Sequence, residues 1–500
     1  MSMKISFRHL LAGIASVEGS GECWVEGMEN DSRRIKKGDI FIAYPGATMD
    51  GRDFIPEAIT KQAAAVIYEA GGEVSAGLLS FEKRIPLIPV PRLSRYVGEI
   101  AARFYRDPSE SMTIIGVTGT NGKTSTTQFI AQVLEMHGIR CGVMGTLGNG
   151  FLSELKKTTH TTLDPVLLQR ELAYLRDRDA KVVTLEVSSH ALDQRRLQGV
   201  HFNMAVLTQL SRDHLDYHGD MQSYAKSKEL LFQQPDLQYG IVNLDDELGQ
   251  KIAMEYRGLL EMIGYSTVGC DQEDIAAVVA KKIALTKQGF RIVVKTPWGS
   301  GELISHLWGR FNISNLLAVL TVLCLLDVPF QEVLRDLSHL VSVKGRMQRL
   351  GGLGQPRVIV DYAHTPDALK KVLLELRERC RGQLYCVFGC GGDRDKGKRP
   401  QMAAIAEQYA DYLIMTNDNP RTELPQKIIQ DMQLGLVNPN AARVELDRAT
   451  AIQYAIQQAK VGDIVLVAGK GHETTQTIGD KIIPFNDGEQ VERFLKDYKS

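Results

Sequence analysis

Gly116-Val-Thr-Gly-Thr-Asn-Gly-Lys-Thr124 decides how the rest of this chain is read. Met112-Thr-Ile-Ile115 before it is short, apolar and β-branched, which predicts a buried parallel strand. After it, Ser125 to His137 carries apolar residues at Phe129, Ile130, Val133, Leu134 and Met136, mainly at helical spacing. A Gly-rich turn between strand and helix aims backbone N–H groups and the positive helix end at a phosphate. Lys123 then reaches the outer phosphates, and the Thr124 hydroxyl suits Mg²⁺. The strict pattern G-x-x-x-x-G-K-[ST] wants glycine at 117, where Val117 stands, and the glycines here are 116, 119 and 122. Strand, loop, Lys-Thr pair and helix nonetheless follow in order, and they imply a nucleoside triphosphate site.

The rhythm continues outward from that loop. Downstream, Lys181-Val-Val-Thr-Leu-Glu-Val187, Met204-Ala-Val-Leu-Thr208 and Gly240-Ile-Val-Asn243 are buried-strand candidates with helical stretches between them. That alternation predicts a mostly parallel sheet with helices on both faces, as far as about residue 345. Trp308-Gly-Arg-Phe-Asn-Ile-Ser-Asn315 opens a long apolar helix that ends before Pro329. The pattern then restarts with strands Arg357–Asp361, Leu384–Phe388, Tyr412–Met415 and Asp463–Val467, each ending in a polar or Gly-rich loop. This is a doubly wound arrangement, in which ligands sit outside the carboxyl ends of the strands. Upstream, Asp39–Ala43, Ala64–Tyr68 and Ile85–Val90 read as strands of a small α/β domain closed by Tyr105-Arg-Asp-Pro108. The expected fold class is therefore α/β in three domains, at residues 1–108, 109–345 and 346–500.

Composition narrows the classes of function. A net charge of −1 gives no reason to expect nucleic acid, and basic runs such as Lys396-Gly-Lys-Arg399 are short enough to be solvated loops or small-anion sites. The seven cysteines form an odd set with no CxxC pair, so neither a zinc site nor a disulfide framework is indicated, which fits a reducing compartment. His9 to Val17 is too short and too diluted by Ser and Gly for a signal core, and predicts a first amphipathic helix. No stretch approaches the roughly 18 apolar residues of a membrane span. The expectation is a soluble, cytoplasmic, monomeric protein with no membrane or nucleic-acid partner.

Polar clusters stand at the predicted strand ends. Glu186-Val-Ser-Ser-His190 places a carboxylate where Mg²⁺ is held in nucleotide-binding sheets, although Glu186 equally suits a helix cap. Ser211-Arg-Asp-His-Leu-Asp-Tyr-His218 offers a second metal position or a hydrogen-bonded loop. Phe388-Gly-Cys-Gly-Gly-Asp-Arg-Asp-Lys-Gly-Lys-Arg399 combines backbone freedom with Arg394, Lys396, Lys398 and Arg399, a cradle for a carboxylate or phosphate. Asp361-Tyr-Ala-His-Thr-Pro-Asp367, Asp418-Asn-Pro-Arg421 and Gly469-Lys-Gly-His-Glu473 complete the polar rim.

Together these blocks closely resemble the Mur ligases, the ATP-dependent amide-forming enzymes of bacterial cell-wall precursor synthesis. The resemblance covers essentially the whole chain. Gly119 to Thr124, Glu186 to His190, Ser211 to Asp216, Asn312 with Asn315, Gly345-Arg-Met347 and Asp361 to Pro366 carry it. It implies an amino-terminal domain for a UDP-sugar, a central P-loop ATPase, and a Rossmann-like carboxy-terminal domain for an incoming amino acid. It also implies that ATP phosphorylates a carboxylate and that an amine attacks the resulting acyl phosphate. Lys123, Glu186, His214 and Lys228 are the implied catalytic residues. Thr124, Glu186, His214 and a CO₂-derived carbamate on Lys228 are the implied Mg²⁺ ligands, with Lys226 the bland alternative to Lys228. Gly119, Thr120, Asn121, Gly122, Lys123, Thr124, Ser125, Asn312, Arg346 and His364 match the family's ATP contacts.

For the UDP-sugar peptide, UDP-N-acetylmuramoyl-L-Ala-D-Glu, the matching positions are Asn30, Ser32, Ala47, Thr48, Met49, His160, Thr161, Thr162, Ser188, Gln194 and Arg196. Two departures are His160, where asparagine is common, and Gln209, in place of the asparagine of a usual Thr-Asn-Leu run. Phe388 to Pro400 and Asp418 to Arg421 resemble the branch that adds meso-diaminopimelate. That branch implies contacts from Arg394, Asp418, Asn419, Pro420, Arg421, Gly469 and Glu473. Arg421 and Arg394 offer planar forks for the distal carboxylate, and Asn419 and Glu473 suit the distal ammonium. Three rivals differ in specific features. Lysine-adding relatives lack the arginine of Asp-Asn-Pro-Arg. Folylpolyglutamate synthases do not suit the amino-terminal UDP-sugar domain. An idle nucleotide-binding scaffold would have lost Lys123, Glu186, His214 or Lys228, and all four are present.

Overall fold

The computed structural model describes residues 3–17, 22–46, 49–71, 80–82, 85–158, 160–269 and 274–498, so Ala47 and Thr48 lie outside the described residues. The chain divides into two compact units. The first holds Met1–Gly116, Ile139–Met204 and Gln233–Gln238, and the second Val117–Gly138, Ala205–Phe232 and Tyr239–Ser500. Compaction thus groups residues 139–204 with the amino-terminal segment, which no linear reading of the sequence anticipates.

In the first unit a sheet runs in the order Gly27–Glu29, Asp39–Ala43, Ala65–Ala70, Ile85–Pro91, Ser80–Glu82, parallel except at its last pair. Asp39–Ala43 is buried along its whole length because both faces are covered. Ile40 and Ile42 face Phe7, Leu10, Ile100 and Phe104, while Phe41 and Ala43 face Ala58, Ile59 and Val66. The helix predicted over His9 to Val17 is a correction: only Phe7–Leu10 is helical, and the chain turns through Gly13 at φ +75°. With so few turns the segment gains little from helix propagation. Further along, Val182–Glu186 lies parallel to Cys141–Gly145, which pairs antiparallel with Gly148–Phe151.

In the second unit the helix Lys123–Met136 packs on the apolar helix Phe311–Leu325. Tyr239–Asn243, Glu261–Ser266 and Ala276–Leu285 run parallel. An antiparallel meander follows through Phe290–Thr296 and Gly299–Ser305, a departure from the expected βα alternation. Its signal is the period of two in Phe290-Arg-Ile-Val-Val-Lys-Thr296, whose odd and even positions alternate between buried and exposed. The last sheet has the order Gln348–Gly351, Arg357–Asp361, Ile464–Ala468, Leu384–Phe388, Tyr412–Met415, Arg443–Val444, and only its first pair is antiparallel. Separate apolar clusters cover its two faces, the doubly wound arrangement expected. Among the described residues no helix is long and apolar enough to cross a membrane.

One buried pair holds the loops at the carboxyl end of this sheet. Arg448 and Asp487 are both fully buried and share two hydrogen bonds, of 2.8 and 2.7 Å. The same guanidinium donates to the Asn417 carbonyl at 3.2 Å and the Ala468 carbonyl at 2.9 Å. Arg448→Met strands the Asp487 carboxylate in the interior and is expected to destabilise the protein by about 3–5 kcal/mol. Urea unfolding checks this, and a loss below about 1 kcal/mol would show that the site relaxes or admits water.

Candidate active site

The phosphate loop follows the strand Thr113–Thr118, and Gly122 caps the helix Lys123–Met136. Gly119 takes φ +138°, and a Cβ there would lie 1.9 Å from the Thr208 hydroxyl, so a side chain is excluded twice over. The loop is stitched to the strand end beside it. Thr208 donates through its hydroxyl to the Asn121 carbonyl at 2.6 Å, and the Thr120 N–H donates to the Gln209 carbonyl at 2.7 Å. That contact uses the backbone of residue 209 and not its side chain. Thr120 also donates to the Ser211 carbonyl at 3.1 Å and lies 3.2 Å from the Tyr224 hydroxyl, which ties the Ser211–His218 segment to the loop.

Lys123 and Lys228 meet at a single carbonyl. Lys123 Nζ donates to Gly119 O at 2.8 Å and to Thr120 O at 3.0 Å, and Lys228 Nζ donates to the same Gly119 O at 3.0 Å. Lys228 is 1% exposed and its Nζ lies 4.3 Å from the centre of the Tyr224 ring. Burial first, and then the neighbouring Lys123 charge, push its pKa well below the ordinary lysine value. A neutral amine is the form that reacts with CO₂. Lys226, the other lysine of this helix, is exposed.

Asp213 and His214 stand close by in sequence. Burial alone would raise the Asp213 pKa, but the neighbouring His364, His214 and Lys398 hold it well below the carboxylate range. Asp213 Oδ2 lies 3.3 Å from His214 Nε2 and 3.7 Å from His364 Nε2. His364 therefore engages the Ser211–His218 loop, and its Nδ1 lies 2.8 Å from its neighbour Tyr362 O.

A cavity of about 590 Å³ opens beside the loop, walled by Asn121, Gly122, Ser125, Asn315, Arg346 and Tyr362 among others. Arg346 places its guanidinium 4.4 Å from the Tyr362 ring centre and donates to the Thr124 hydroxyl at 3.3 Å. Asp361 sets the turn around it by accepting from Met347 N at 2.7 Å and Ala363 N at 2.8 Å. Asn312 is committed underneath, donating to the Trp308 carbonyl at 2.6 Å and accepting from Asn315 at 3.0 Å, so Asn315 forms the wall. Sequence reading passed over Asn243, Asp246, Phe311 and Lys371, which also line this cavity. Asn243 and Asp246 had a signal, since both follow at the carboxyl end of an expected strand.

In the first unit, Glu186 ends its strand with its carboxylate accepting from Thr146 N at 2.9 Å and from the Thr146 hydroxyl at 3.0 Å. Thr162 donates to the Glu186 carbonyl at 2.7 Å, and Arg196 donates to the Thr162 carbonyl at 3.1 Å and to Gln194 Oε1 at 3.0 Å. Thr161 accepts from the Thr146 hydroxyl at 3.1 Å, and Ser188 caps the helix Ser189–Asp193. Burial, and then the Arg196 charge, lower the His160 pKa, so that side chain belongs to the same electrostatic neighbourhood. Asn30 donates to the Tyr44 hydroxyl at 3.4 Å, and Tyr44 in turn feels Asp164 and Arg196. Ser32 is committed to Glu57 at 2.7 Å, and Met49 is exposed.

The loops of the last sheet meet around Gly391 and Gly392. Arg421 sits at φ +53° and donates through Nη1 to the Gly392 carbonyl at 2.7 Å. A Cβ on Gly391 would lie 3.0 Å from Arg421 Nη1 and 3.7 Å from Arg394 Cγ, so the glycine leaves room for both arginines. Gly392 N donates to Asn419 O at 2.9 Å, Pro420 O accepts from Glu423 N at 3.1 Å, and Gly469 abuts Asp418. One expectation is corrected here. Arg399 is fully buried and bridges Glu423 and Asp431 at 2.8 Å each, so it braces the loop instead of joining a cradle. That guanidinium draws the Glu423 pKa down to about 2. Glu473 Oε2 already accepts from buried Lys470 at 2.6 Å and Asn419 Nδ2 at 2.9 Å. Asn419 Oδ1 is likewise taken, by Lys470 and Thr477 N at 3.0 Å each. Both side chains are thus partly engaged, through Glu473 Oε2 and Asn419 Oδ1.

Among the described residues no group of three or more His, Cys, Asp or Glu side chains is placed to hold a metal.

Comparison with known proteins covers nearly the whole chain. Residues 25–105 match the Mur ligase family catalytic domain, 117–323 the Mur ligase middle domain, and 345–471 the Mur ligase glutamate ligase domain. A Coxiella burnetii protein named UDP-N-acetylmuramoyl-L-alanyl-D-glutamate--2,6-diaminopimelate ligase is 59% identical over 94% of this chain and 96% of its own. A Chromobacterium violaceum protein of the same name is 46% identical over 94% of each. A solved structure of a ligase so named aligns with TM-score 0.70 and 35% identity over 99% of both chains. The MurF ligase of Thermotoga maritima, solved with ADP, shares the fold at TM-score 0.64 and 17% identity, over 95% of this chain and 97% of its own.

Proposed function

The chain belongs to the Mur ligase family, and on that premise we propose that it joins meso-2,6-diaminopimelate to UDP-N-acetylmuramoyl-L-Ala-D-Glu with cleavage of ATP to ADP and phosphate. The observation that carries this reading is one compact unit that holds both the phosphate loop and the paired Arg421 and Arg394 around Gly391. The reaction belongs to cytoplasmic peptidoglycan precursor synthesis. Residues 1–108 would serve the UDP-sugar, 109–345 ATP and 346–500 the amino acid.

A free carboxylate is a poor electrophile, so the D-glutamyl carboxylate first takes the γ-phosphoryl group of ATP. The amine of diaminopimelate adds to the acyl phosphate, and the tetrahedral adduct expels phosphate. Lys123 and the loop N–H groups neutralise charge on the transferred group, and Arg346 holds the nucleotide beside Tyr362. Thr124, His214 and a carbamate on Lys228 in the second unit, and Glu186 in the first, are the groups that would serve as Mg²⁺ ligands, and the ion would supply charge neutralisation at the phosphoryl oxygens. Lys228 fits this role because a carbamate would set a negative charge beside the Lys123 cation in place of a buried amine whose pKa is already depressed. Arg196, with Thr161, Thr162 and Asn30, lies where the UDP-sugar peptide would be gripped. The Arg421 and Arg394 forks take the distal carboxylate of the amino acid, while Lys470 keeps Glu473 charge-balanced beside it.

The test is phosphate release from ATP and Mg²⁺ with the UDP-linked dipeptide. Turnover is expected with meso-diaminopimelate and not with L-lysine. Equal turnover with both would keep the ligase and reject the amino-acid assignment; silence with both, in protein that still binds ATP, would reject the reaction.

A further inference from the structure

A second cavity of about 590 Å³ lies in the second unit, walled by the hairpin tip at Leu285–Lys287, by Trp308, and by segments at residues 352–357, 378–381 and 461–464. These last segments sit at or near the amino ends of the strands Arg357–Asp361, Leu384–Phe388 and Ile464–Ala468. The proposed catalytic loops leave the opposite ends, a strand length of roughly 16 Å away.

Its lining is strongly basic. Lys287, Arg357, Arg379 and Arg381 face Glu378 and Asp463, and both acids are already committed. Glu378 is paired with Arg310 at 3.1 Å, and Asp463 accepts from the backbone N–H groups of Gln383 and Lys460 at 2.8 Å each. Arg379 is paired with Glu375, whereas Lys287, Arg357 and Arg381 have no acidic partner among the described residues. The charges also crowd one ring, with the guanidinium carbons of Arg349, Arg357 and Arg379 lying 5.3, 5.0 and 4.7 Å from the Trp308 centroid. Burial, and then Arg357 and Arg379, lower the Arg349 pKa, which registers the mutual repulsion. Trp308 is 3% exposed and its indole N–H has no acceptor among the described residues. Like charges gathered around a buried, unsatisfied donor are costly unless something anionic completes them.

We propose that this cleft is a second anion site, separate from the catalytic one, for a small phosphoryl-bearing polyanion held by Arg357, Arg381 and Lys287 against Trp308. The volume suits a ligand of that size, and guanidinium forks suit phosphoryl oxygens.

Inorganic pyrophosphate is the probe, titrated calorimetrically into full-length Lys123→Met protein so that the phosphate loop contributes little. Saturable binding is expected, weakened about tenfold or more by Arg357→Ser with Arg381→Ser, and also by Lys287→Glu, which lies on a different segment. In a protein whose sole tryptophan is Trp308 (Trp24→Phe, Trp298→Phe), the same titration is expected to change the fluorescence. Lys36→Ser with Lys37→Ser, exposed lysines outside the cleft, is expected to leave binding unchanged. Absent binding, binding insensitive to the cleft changes, or equal weakening by the Lys36 and Lys37 control would each overturn the proposal.

Discussion

Lys228→Ala is expected to lower kcat by about 10³-fold, the scale of losing a group that stabilises transition-state charge, while the KM for ATP moves only a few-fold. The reason is the shared carbonyl. Two ammonium groups cannot both bond Gly119 O without repulsion, and Lys228 is buried away from the solvent that would soften it. Burial and the Lys123 charge push its pKa well below the ordinary lysine value, which favours the neutral amine, the form that would take up CO₂ to become the proposed oxygen donor. Three readouts follow. Activity falls in CO₂-depleted buffer and returns with bicarbonate. The intact protein gains the mass of one CO₂. Lys228→Arg, which keeps a long basic side chain but cannot form the carbamate, is as impaired as the alanine variant. A Lys228→Ala protein with normal turnover, or activity indifferent to bicarbonate, would reduce Lys228 to a structural spacer.

Arg421→Ala is expected to raise the KM for meso-diaminopimelate by about 10²-fold, within the 2–5 kcal/mol lost when one partner of a desolvated charge pair is truncated. The KM for ATP should stay within about twofold, because the nucleotide cavity is lined by other residues. Arg421 already adopts φ +53°, and alanine there meets the same backbone strain, so the change reads the guanidinium and not the turn. Gly392 O would lose its donor, a small additional cost at a loop carbonyl. Discrimination against L-lysine should shrink at the same time, because the arginine left unpaired by lysine is gone. A parallel rise in both KM values would point to collapse of the loop. Restoration by Arg421→Lys would indicate a simple charge requirement and not a fork.

Much of this was legible in the chain alone. Arg357–Asp361, Leu384–Phe388 and Tyr412–Met415 have the bounds their apolar runs predict, since a strand covered on both faces must be apolar throughout. The phosphate loop was legible because its glycines, lysine and threonine are neighbours in sequence and their geometry is local. The antiparallel meander at 276–305 was masked by the surrounding βα rhythm, although Phe290–Thr296 carries the alternation. A helix was expected over His9 to Val17 and only Phe7–Leu10 is helical, because apolar spacing does not report how few turns the packing will support.

What the sequence determined by itself was the set of local elements and the identity of the chemical groups at their ends: periodicity and backbone sterics act over a few residues. The tertiary structure alone decided the state of those groups. Lys123 and Lys228 share one carbonyl across more than a hundred residues of chain, Arg399 is buried against Glu423 and Asp431, Lys470 neutralises Glu473, and three arginines gather on Trp308. Charge, protonation and hydrogen-bond capacity depend on which distant groups come within a few ångströms and on how much water is excluded, and both are properties of the packed fold.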